Sequence, residues 1–540
     1  MTNQHRQPVK TGSRPCDGSG HRWGLVVNPN VLEAERKRDM KTYCKRLVIS
    51  DADKIYEAIT DYMHDKYKKN SSVKFFANYT GKSREYIREH LKPQLANLEP
   101  VDRKRFMETD LESLPDDDFW RSVHYKLALE MAYHIRTRTV REHLLSTTYG
   151  QPLIRYTKIK DSGSGKERML GLETVLFRLY EQVTAKAAEP LFAAKLGTYQ
   201  CASIKGRGQN YGKKAVLRWL SNDVEGTRYN AKADVRKCYP SIHHGKLLEL
   251  LNRDLHKSHE LLYLFTVFIE LYEEWPSPEA LAPDRGILIG SPVSKDLCNY
   301  FLSYAYHYAS ERLVKETCRR GQTKIKRLIS HIIFYMDDIT MYAANKTHLK
   351  QAVKMMIAYM LNFLDLRIKP DWIMQKTMYE DQVGKTKGAL LDFMGFRFHG
   401  GDVETKSYFG RQKKHKKVWV TIRRNIFLTA RRKMNKFLKL VKHHVAAKIK
   451  FVRSVISAYG WFKNTNMVKY RIRNKVDELM RIARKIASDY DKGNGYVEKK
   501  YFNMWRRYYA QGSKSRKNGK GSVQGKAEWR SRCVAQEQPA

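Results

Sequence analysis

The sequence predicts an α+β fold built in consecutive parts. Three observations predict it. Apolar residues recur at helical spacing before residue 150. Strand-like and helical runs alternate from about 151 to 400. An amphipathic, almost acid-free helical stretch then follows. The chain has 540 residues, enough for several domains and a sizeable core. Lysine plus arginine number 102 against 56 acids, a net charge of +46. Such an excess predicts a polyanionic partner, nucleic acid ahead of an anionic membrane. No apolar run approaches the roughly 18 residues of a spanning helix, and polar Met1 to Gly24 lacks the apolar core of a signal peptide. The seven cysteines form no CxxC pair and read as reduced thiols. A soluble, cytoplasmic protein without a membrane partner is the expectation.

Residues 1–25 are rich in Gly, Ser, Pro and charge and are expected to be disordered. Cys16 and His21 lie close there, but two ligands do not make a zinc site. Residues 26–150 are expected to form a helical N-terminal region. Ser50 and Asp51 mark a helix start, and Ile55, Ile59 and Met63 give it one apolar face. A second helix spans Leu114 to Thr139, with Asp116 to Asp118 near its start, where acids suit the helix dipole. In residues 151–400, Ser291 and Pro292 begin a helix whose stripe is Leu297, Phe301, Tyr304 and Tyr308. Residues 401–510 are helical and basic, with no Asp or Glu between Glu404 and Asp477. A solvated helix face normally mixes signs. This one fits a surface that neutralises phosphates along a duplex, with Arg431, Arg432 and Lys436 as candidate contacts. Ile426, Ala430, Phe437 and Val441 keep it packed. Residues 511–540 read as a basic, flexible tail.

The chemistry concentrates at Tyr335-Met336-Asp337-Asp338. Two adjacent carboxylates sit between β-prone runs, which predicts a hairpin with Met336 and Asp337 at its tip. Like charges so close repel and raise each other's pKa, and a divalent cation with a taste for hard oxygen relieves them. A solvated acidic turn is the bland alternative. Upstream, Asp234 ends a strand-like run and is followed by Val235, basic residues and Tyr239. Alone, an Asp at a strand end is a turn former.

Together these segments resemble the reverse transcriptase family. Asp234 to Tyr239 resembles its motif A, Gly286 to Ser294 its motif B, and Tyr335 to Asp338 its motif C. Leu366 to Pro370 is similar to motif D, and Asp392 to Phe396 to motif E, the primer grip. Lys158 to Asp161 and Lys166 to Arg168 resemble the fingers segment, and Ser457 to Phe462 the helical thumb. The motifs keep the family's order across roughly residues 150 to 400. Ile289 stands where many members carry Gln; the resemblance then implies that a polar contact to the incoming nucleotide is lost or supplied elsewhere. That variation, and Tyr199 to Gly208, resemble bacterial and prophage members of the defence-associated "unknown group".

The resemblance implies a right-hand polymerase with fingers and palm over 151–400, a helical basic thumb over 401–510, and RNA-directed DNA synthesis. It implies Mg²⁺, with Mn²⁺ as a substitute, held by Asp234, Asp337, Asp338 and the Val235 carbonyl. Lys369 is a candidate proton donor to pyrophosphate. Lys158, Lys160 and Arg168 would grip the triphosphate. Tyr239 would exclude a ribose 2′-hydroxyl, so that dNTPs are the substrate, and Gly290 would let backbone approach the nascent pair. Phe393, Met394 and Gly395 would aim the primer, or form an ordinary strand with a glycine bulge. Expected partners are an RNA template, a dedicated non-coding RNA by the defence resemblance, the DNA product and dNTPs, with a homo-oligomer as an option. Alternative readings are a group II intron maturase-like RNA-binding protein, or a template-independent or protein-primed DNA polymerase.

Overall fold

Strands carrying the predicted carboxylates meet at the centre of the fold. The computed structural model describes residues 42–507, apart from 65, 68, 91–115, 161–166, 320–321, 409–410 and 494–496. The expectations for residues 1–25 and 511–540, and for Cys16 and His21, lie outside the described residues.

Five helices come first: α1 (Ala52–Met63), α2 (Asn70–Thr80), α3 (Arg84–His90), α4 (Asp116–Thr137) and α5 (Val140–Ser146). Asp51 caps α1 by accepting from the Asp53 and Lys54 N–H groups. The predicted stripe Ile55, Ile59 and Met63 is buried. α1 lies against α4. These helices do not own a separate core. Ile55, Phe76 and Met131 join one apolar cluster with Phe177, Leu264, Phe301 and Met356.

β1 (Ile154–Lys160) and β2 (Glu167–Glu173) form a two-stranded antiparallel ribbon, followed by α6 (Val175–Ala187), α7 (Glu189–Lys195) and α8 (Gln209–Asn222). Next come β3 (Tyr229–Asp234), the single turn α9 (Cys238–Ser241), α10 (His244–Leu255), α11 (His259–Glu274) and α12 (Ser294–His307). The Ser291 hydroxyl accepts from the Val293 and Ser294 N–H groups just ahead of α12, as the Ser-Pro start predicts. A small ribbon, β4 (Val314–Arg319) with β5 (Gln322–Arg327), precedes the hairpin β6 (His331–Tyr335) and β7 (Asp338–Ala343). α13 (Lys346–Leu364) and β8 (Ile373–Lys376) complete the central sheet, ordered β6-β7-β3-β8 and antiparallel throughout.

Short β9 (Tyr379–Glu380) and β10 (Thr386–Lys387) lead to a three-stranded sheet of β11 (Leu391–Phe393), β12 (Phe396–Tyr408) and β13 (Arg411–Ile422). The helical region expected from residue 401 begins only at Arg424, because β12 and β13 pair across residues 401–422. The last elements are α14 (Arg424–Lys442), α15 (Ile449–Lys463), α16 (Val468–Arg473), α17 (Val476–Asp491) and α18 (Glu498–Trp505). They have their own core, with Phe437, Val452, Phe462 and Ile482 fully buried. Each such side chain contributes about 1.5–3 kcal/mol on burial. Among the described residues no helix is long and apolar enough to cross a membrane.

Candidate active site

The ladder register creates the site. Asp234, last residue of β3, lies directly across from Asp338, first residue of β7. Tyr335 pairs with Asp338 to close the β6–β7 hairpin, leaving Met336 and Asp337 at its tip, as the sequence predicts. Met336 takes φ +56°, a left-handed value that tight hairpins demand but that suits glycine better. The tip is tied down where the Val235 N–H donates to the Asp337 carbonyl at 3.0 Å. The Lys369 N–H donates to the Asp234 carbonyl at 2.9 Å, which sets Lys369 beside the same strand end.

Two lysines answer these acids. The Lys369 ammonium pairs with Asp234 Oδ1. Lys232 Nζ lies 3.6 Å from Asp338 Oδ1. Burial, then the charges of Asp234 and Asp338, push Asp337 up to about 6. Burial also raises Asp338; Lys232 opposes the shift, Asp234 adds to it and Arg423 opposes it. Burial pulls Lys369 down, but Asp234, Asp337 and Asp371 outweigh it and leave its pKa raised. Among the described residues no three acidic, histidine or cysteine side chains form a ready cage for a metal ion; Lys369 instead neutralises Asp234. The donor chemistry nevertheless fits a hard divalent cation. All three acids supply oxygen only, and Asp337 carries like-charge strain that such an ion would relieve.

Tyr239 and the Gly286–Ser291 loop run side by side. The Ile287 N–H donates to the Tyr239 carbonyl and the Gly286 N–H to the Ile242 carbonyl. The Tyr239 ring is packed against the apolar core, half-buried. Gly290 is exposed with φ +111°, but its lack of a side chain serves the ribbon first. A Cβ there would sit 2.5 Å from the Leu170 side chain and 3.3 Å from the Gly171 carbonyl. The close packing of the ribbon therefore requires glycine here independently of the expected approach of its backbone to the nascent pair.

The ribbon brings another correction. Arg168 pairs with Ile159, whereas Lys158 pairs with Met169 and Lys160 with Glu167. Side chains alternate along a strand, so Arg168 lies on the opposite face from Lys158 and Lys160. The three cannot grip one triphosphate as a set. The charge of Arg168 is felt by Asp337, which puts Arg168 on the site side. Lys160 shares its face with Glu167.

Phe393, Met394 and Gly395 form the β11–β12 turn. Phe393 faces Phe396, with Met394 at φ +53° and Gly395 at φ +80° between them. That is a tight two-residue hairpin turn rather than a bulge. Phe393 is fully buried, so its side chain is core and cannot touch a primer. Met394 is buried against Gly212 of α8. A Cβ on Gly395 would meet Trp461 at 2.8 Å and Ile426 at 2.9 Å.

Between this turn, Asp338 and helices α14 and α15 lies a cleft of about 390 Å³ lined by Tyr335, Arg423, Thr429, Lys433, Ser457 and Trp461. Lys433 is a residue that sequence reasoning missed. It stands seven positions after Ile426, on the cleft face of α14. Arg432 and Lys436 are exposed near that face, and Lys436 lies over the Phe451 ring. Arg431, two positions before Lys433, lies on another face of the helix; its charge is felt by Tyr470 of α16. Two more residues were missed. Lys232 precedes Asp234 by two positions on one strand, a period-2 signal that was available. Arg423 grips Asp392 Oδ1 through two guanidinium nitrogens at 2.7 and 2.6 Å, a long-range pairing with no local signature.

Tyr199 to Gly208 flanks the sheet rather than the cleft. Gln200 bridges Phe334 in parallel, and Arg207 folds back onto the Gly197 and Gln200 carbonyls. The segment protects the open β6 edge.

With this geometry in place, comparison with known proteins adds one finding. Residues 159–383 match the family described as reverse transcriptase (RNA-dependent DNA polymerase). No curated protein matches the chain. The matched span takes in β2, the central sheet and all three carboxylates, and it carries the fingers and palm fold of that family. The enzyme is an RNA-directed DNA polymerase, a nucleotidyltransferase using a nucleic-acid template and dNTPs.

Proposed function

Taking an RNA-directed DNA polymerase as premise, we propose that this chain extends a DNA strand by two-metal phosphoryl transfer at Asp234, Asp337 and Asp338. The observation that carries the reading is the Asp234–Asp338 cross-strand pair with Asp337 at the adjoining tip. These carboxylates, with the Val235 carbonyl, would hold two Mg²⁺ ions, or Mn²⁺ in their place. Bound there, such ions activate the primer 3′-hydroxyl and neutralise the departing pyrophosphate. The chain's own residues do the positioning, which is most of what phosphoryl transfer asks. Arg168 reaches the phosphates from the ribbon. The Tyr239 ring closes the space beside C2′ of the sugar. The Met394–Gly395 backbone aims the strand end. Lys369 Nζ carries a proton close to Asp234 and is placed to pass it to pyrophosphate once Asp234 has another counter-charge. α14 to α18 act as the thumb, with Lys433, Arg432 and Lys436 along the duplex.

The template proposed is a dedicated non-coding RNA, and the setting bacterial antiphage defence in the cytoplasm. The likeness of Tyr199 to Gly208 and the Ile289 variation support that choice. Primer extension with Mg²⁺ on an RNA template tests the enzyme reading, with Asp337→Ala as the comparison. Sequencing the nucleic acid that copurifies tests the template: one abundant RNA with its complementary DNA supports it, and a random RNA population refutes it.

A further inference from the structure

Glu181 is buried where a polymerase gains nothing obvious from an acid. It lies on α6 at 0 % exposure, beneath the Ile289–Gly290–Ser291 turn. Its Oε1 accepts from the Tyr272 hydroxyl at 2.5 Å and from the Ser291 hydroxyl at 2.8 Å. Its Oε2 meets no hydrogen-bond partner among the described residues. Burial first, then the Glu173 charge, hold its pKa well above the ordinary carboxylate range. A buried polar group this incompletely paired is unfavourable. An apolar side chain of similar volume would fill the same space without that penalty.

What Glu181 holds explains its presence. Ser291 is the residue after Gly290, and its Oγ accepts the Val293 and Ser294 N–H groups that open α12. The Glu181 carboxyl therefore fixes the Ser291 rotamer, and Ser291 fixes the turn. The turn is held from the other side as well. The Gly171 N–H of β2 donates to the Ile289 carbonyl at 2.9 Å, and Leu170 fills the space beside Gly290. Behind Glu181, Glu173 pairs with Arg178 at 2.7 Å, and Arg178 hydrogen-bonds Tyr62 of α1. The Glu173–Arg178–Tyr62 group makes no hydrogen bond to Glu181, and reaches it only through its charges.

We propose that Glu181 is a positioning residue for the incoming nucleotide, acting through Ser291 to hold the Gly290 backbone at the height where a dNTP packs against it. Glu181 touches no substrate itself. The inference deepens the proposed polymerase reading and rests on the expectation, implied by the resemblance, that the Gly290 backbone approaches the nascent pair.

The test compares the parent with Glu181→Gln, Glu181→Leu and Ser291→Ala in steady-state primer extension. Hydrogen exchange of the 286–297 peptide is followed in parallel. Gln keeps a neutral acceptor at Oε1 and stays near the parent in both measurements. Leu and Ser291→Ala raise the dNTP KM about tenfold, the size of one well-placed hydrogen bond, while kcat moves far less. Both also speed exchange in 286–297, while affinity for template–primer is unchanged. If Leu lowers the melting temperature but leaves KM and exchange of 286–297 as in the parent, Glu181 is structural only and the proposal falls. The same holds if Gln is as impaired as Leu. Should Leu fail to fold, Ser291→Ala decides alone on the same two readouts. A parent that incorporates no dNTP overturns the polymerase reading, whereas unchanged exchange of 286–297 overturns this one.

Discussion

The central sheet and the C-terminal helical bundle use charge in opposite ways. In the sheet, three acids and two lysines are packed at one strand end and feel one another. Asp337 is raised by burial and by its two neighbours, and Lys369 is raised by the acids it faces. In the bundle, Arg431, Arg432, Lys436 and Lys439 are exposed on a helix whose core is Ala430, Met434, Phe437 and Val441. Half-buried charges such as these are screened less by salt than exposed ones, which are screened within a Debye length. The difference teaches a division of labour. On the proposed reading, chemistry sits where removing one charge alters all the others, and grip where charges add nearly independently.

The sharpest break in that division is Asp337→Ala. Incorporation should fall by at least about 10²–10³-fold, the loss typical when a main electrostatic element is removed. Template–primer affinity should hold at the parent value. A filter-binding titration beside the extension assay checks both, and near-parent synthesis would end the carboxylate assignment. Next in size, Tyr239→Val should raise the rNTP to dNTP incorporation ratio by roughly one to two orders of magnitude, since space rather than charge does the excluding. Competition assays with paired nucleotides measure it. A parent that already prefers rNTPs would refute the gate.

On the bundle side, changing Arg432, Lys433 and Lys436 together to Gln should flatten the log affinity versus log salt slope by ~2 to 3 units, about one for each phosphate no longer neutralised. Arg431→Gln should leave that slope nearly intact, because Arg431 lies on another face of α14 from Lys433. Equal effects from Arg431 and Lys433 would mean that the duplex wraps α14 differently.

The smallest expected effect lies in the N-terminal helices. Burial pushes His124 and His143 down to about 4. Between the ordinary histidine value and about pH 4, the unfolded chain binds protons that the folded one refuses, so stability falls as pH falls through that window. Amide protection factors in α4 and α5, corrected for the intrinsic pH dependence of exchange, should fall there, and His124→Leu should flatten the dependence. No difference between about pH 7 and about pH 4.5 would contradict the buried, neutral histidines.

Much of the site was legible because it obeys short-range rules. The Met336–Asp337 tip follows from two β-prone runs two residues apart. The α1 face follows from Ile55, Ile59 and Met63. The motifs around Asp234 and Asp338 pointed to each other as partners before any register was known. What escaped depends on register or on distant packing. Whether Arg168 sides with Lys158 is set by the strand pairing of the ribbon, and spacing alone does not reveal it. The choice of Lys433 over Arg431 needs the helix's buried face, which Ala430 and Phe437 already hinted at. Phe393 was read as a grip residue because it sits in the motif, yet its side chain belongs to the core. The reason for Gly290 lay far back in the chain, at Leu170. Arg423–Asp392 and Glu181–Ser291 are tertiary facts with no sequence shadow.

Gly395 links the two halves of the comparison mechanically. With Trp461 and Ile426 closer than any side chain would tolerate, the β11–β12 turn and the helices α14 and α15 mesh like the teeth of two gears. On the proposed reading, in which the bundle grips the duplex and the turn aims the strand end, a rotation of the bundle would carry the turn with it. Enlarging the gap, as Trp461→Ala would, introduces backlash. An enzyme with backlash loses its place, and the natural record of that loss is stuttering on runs of a repeated base.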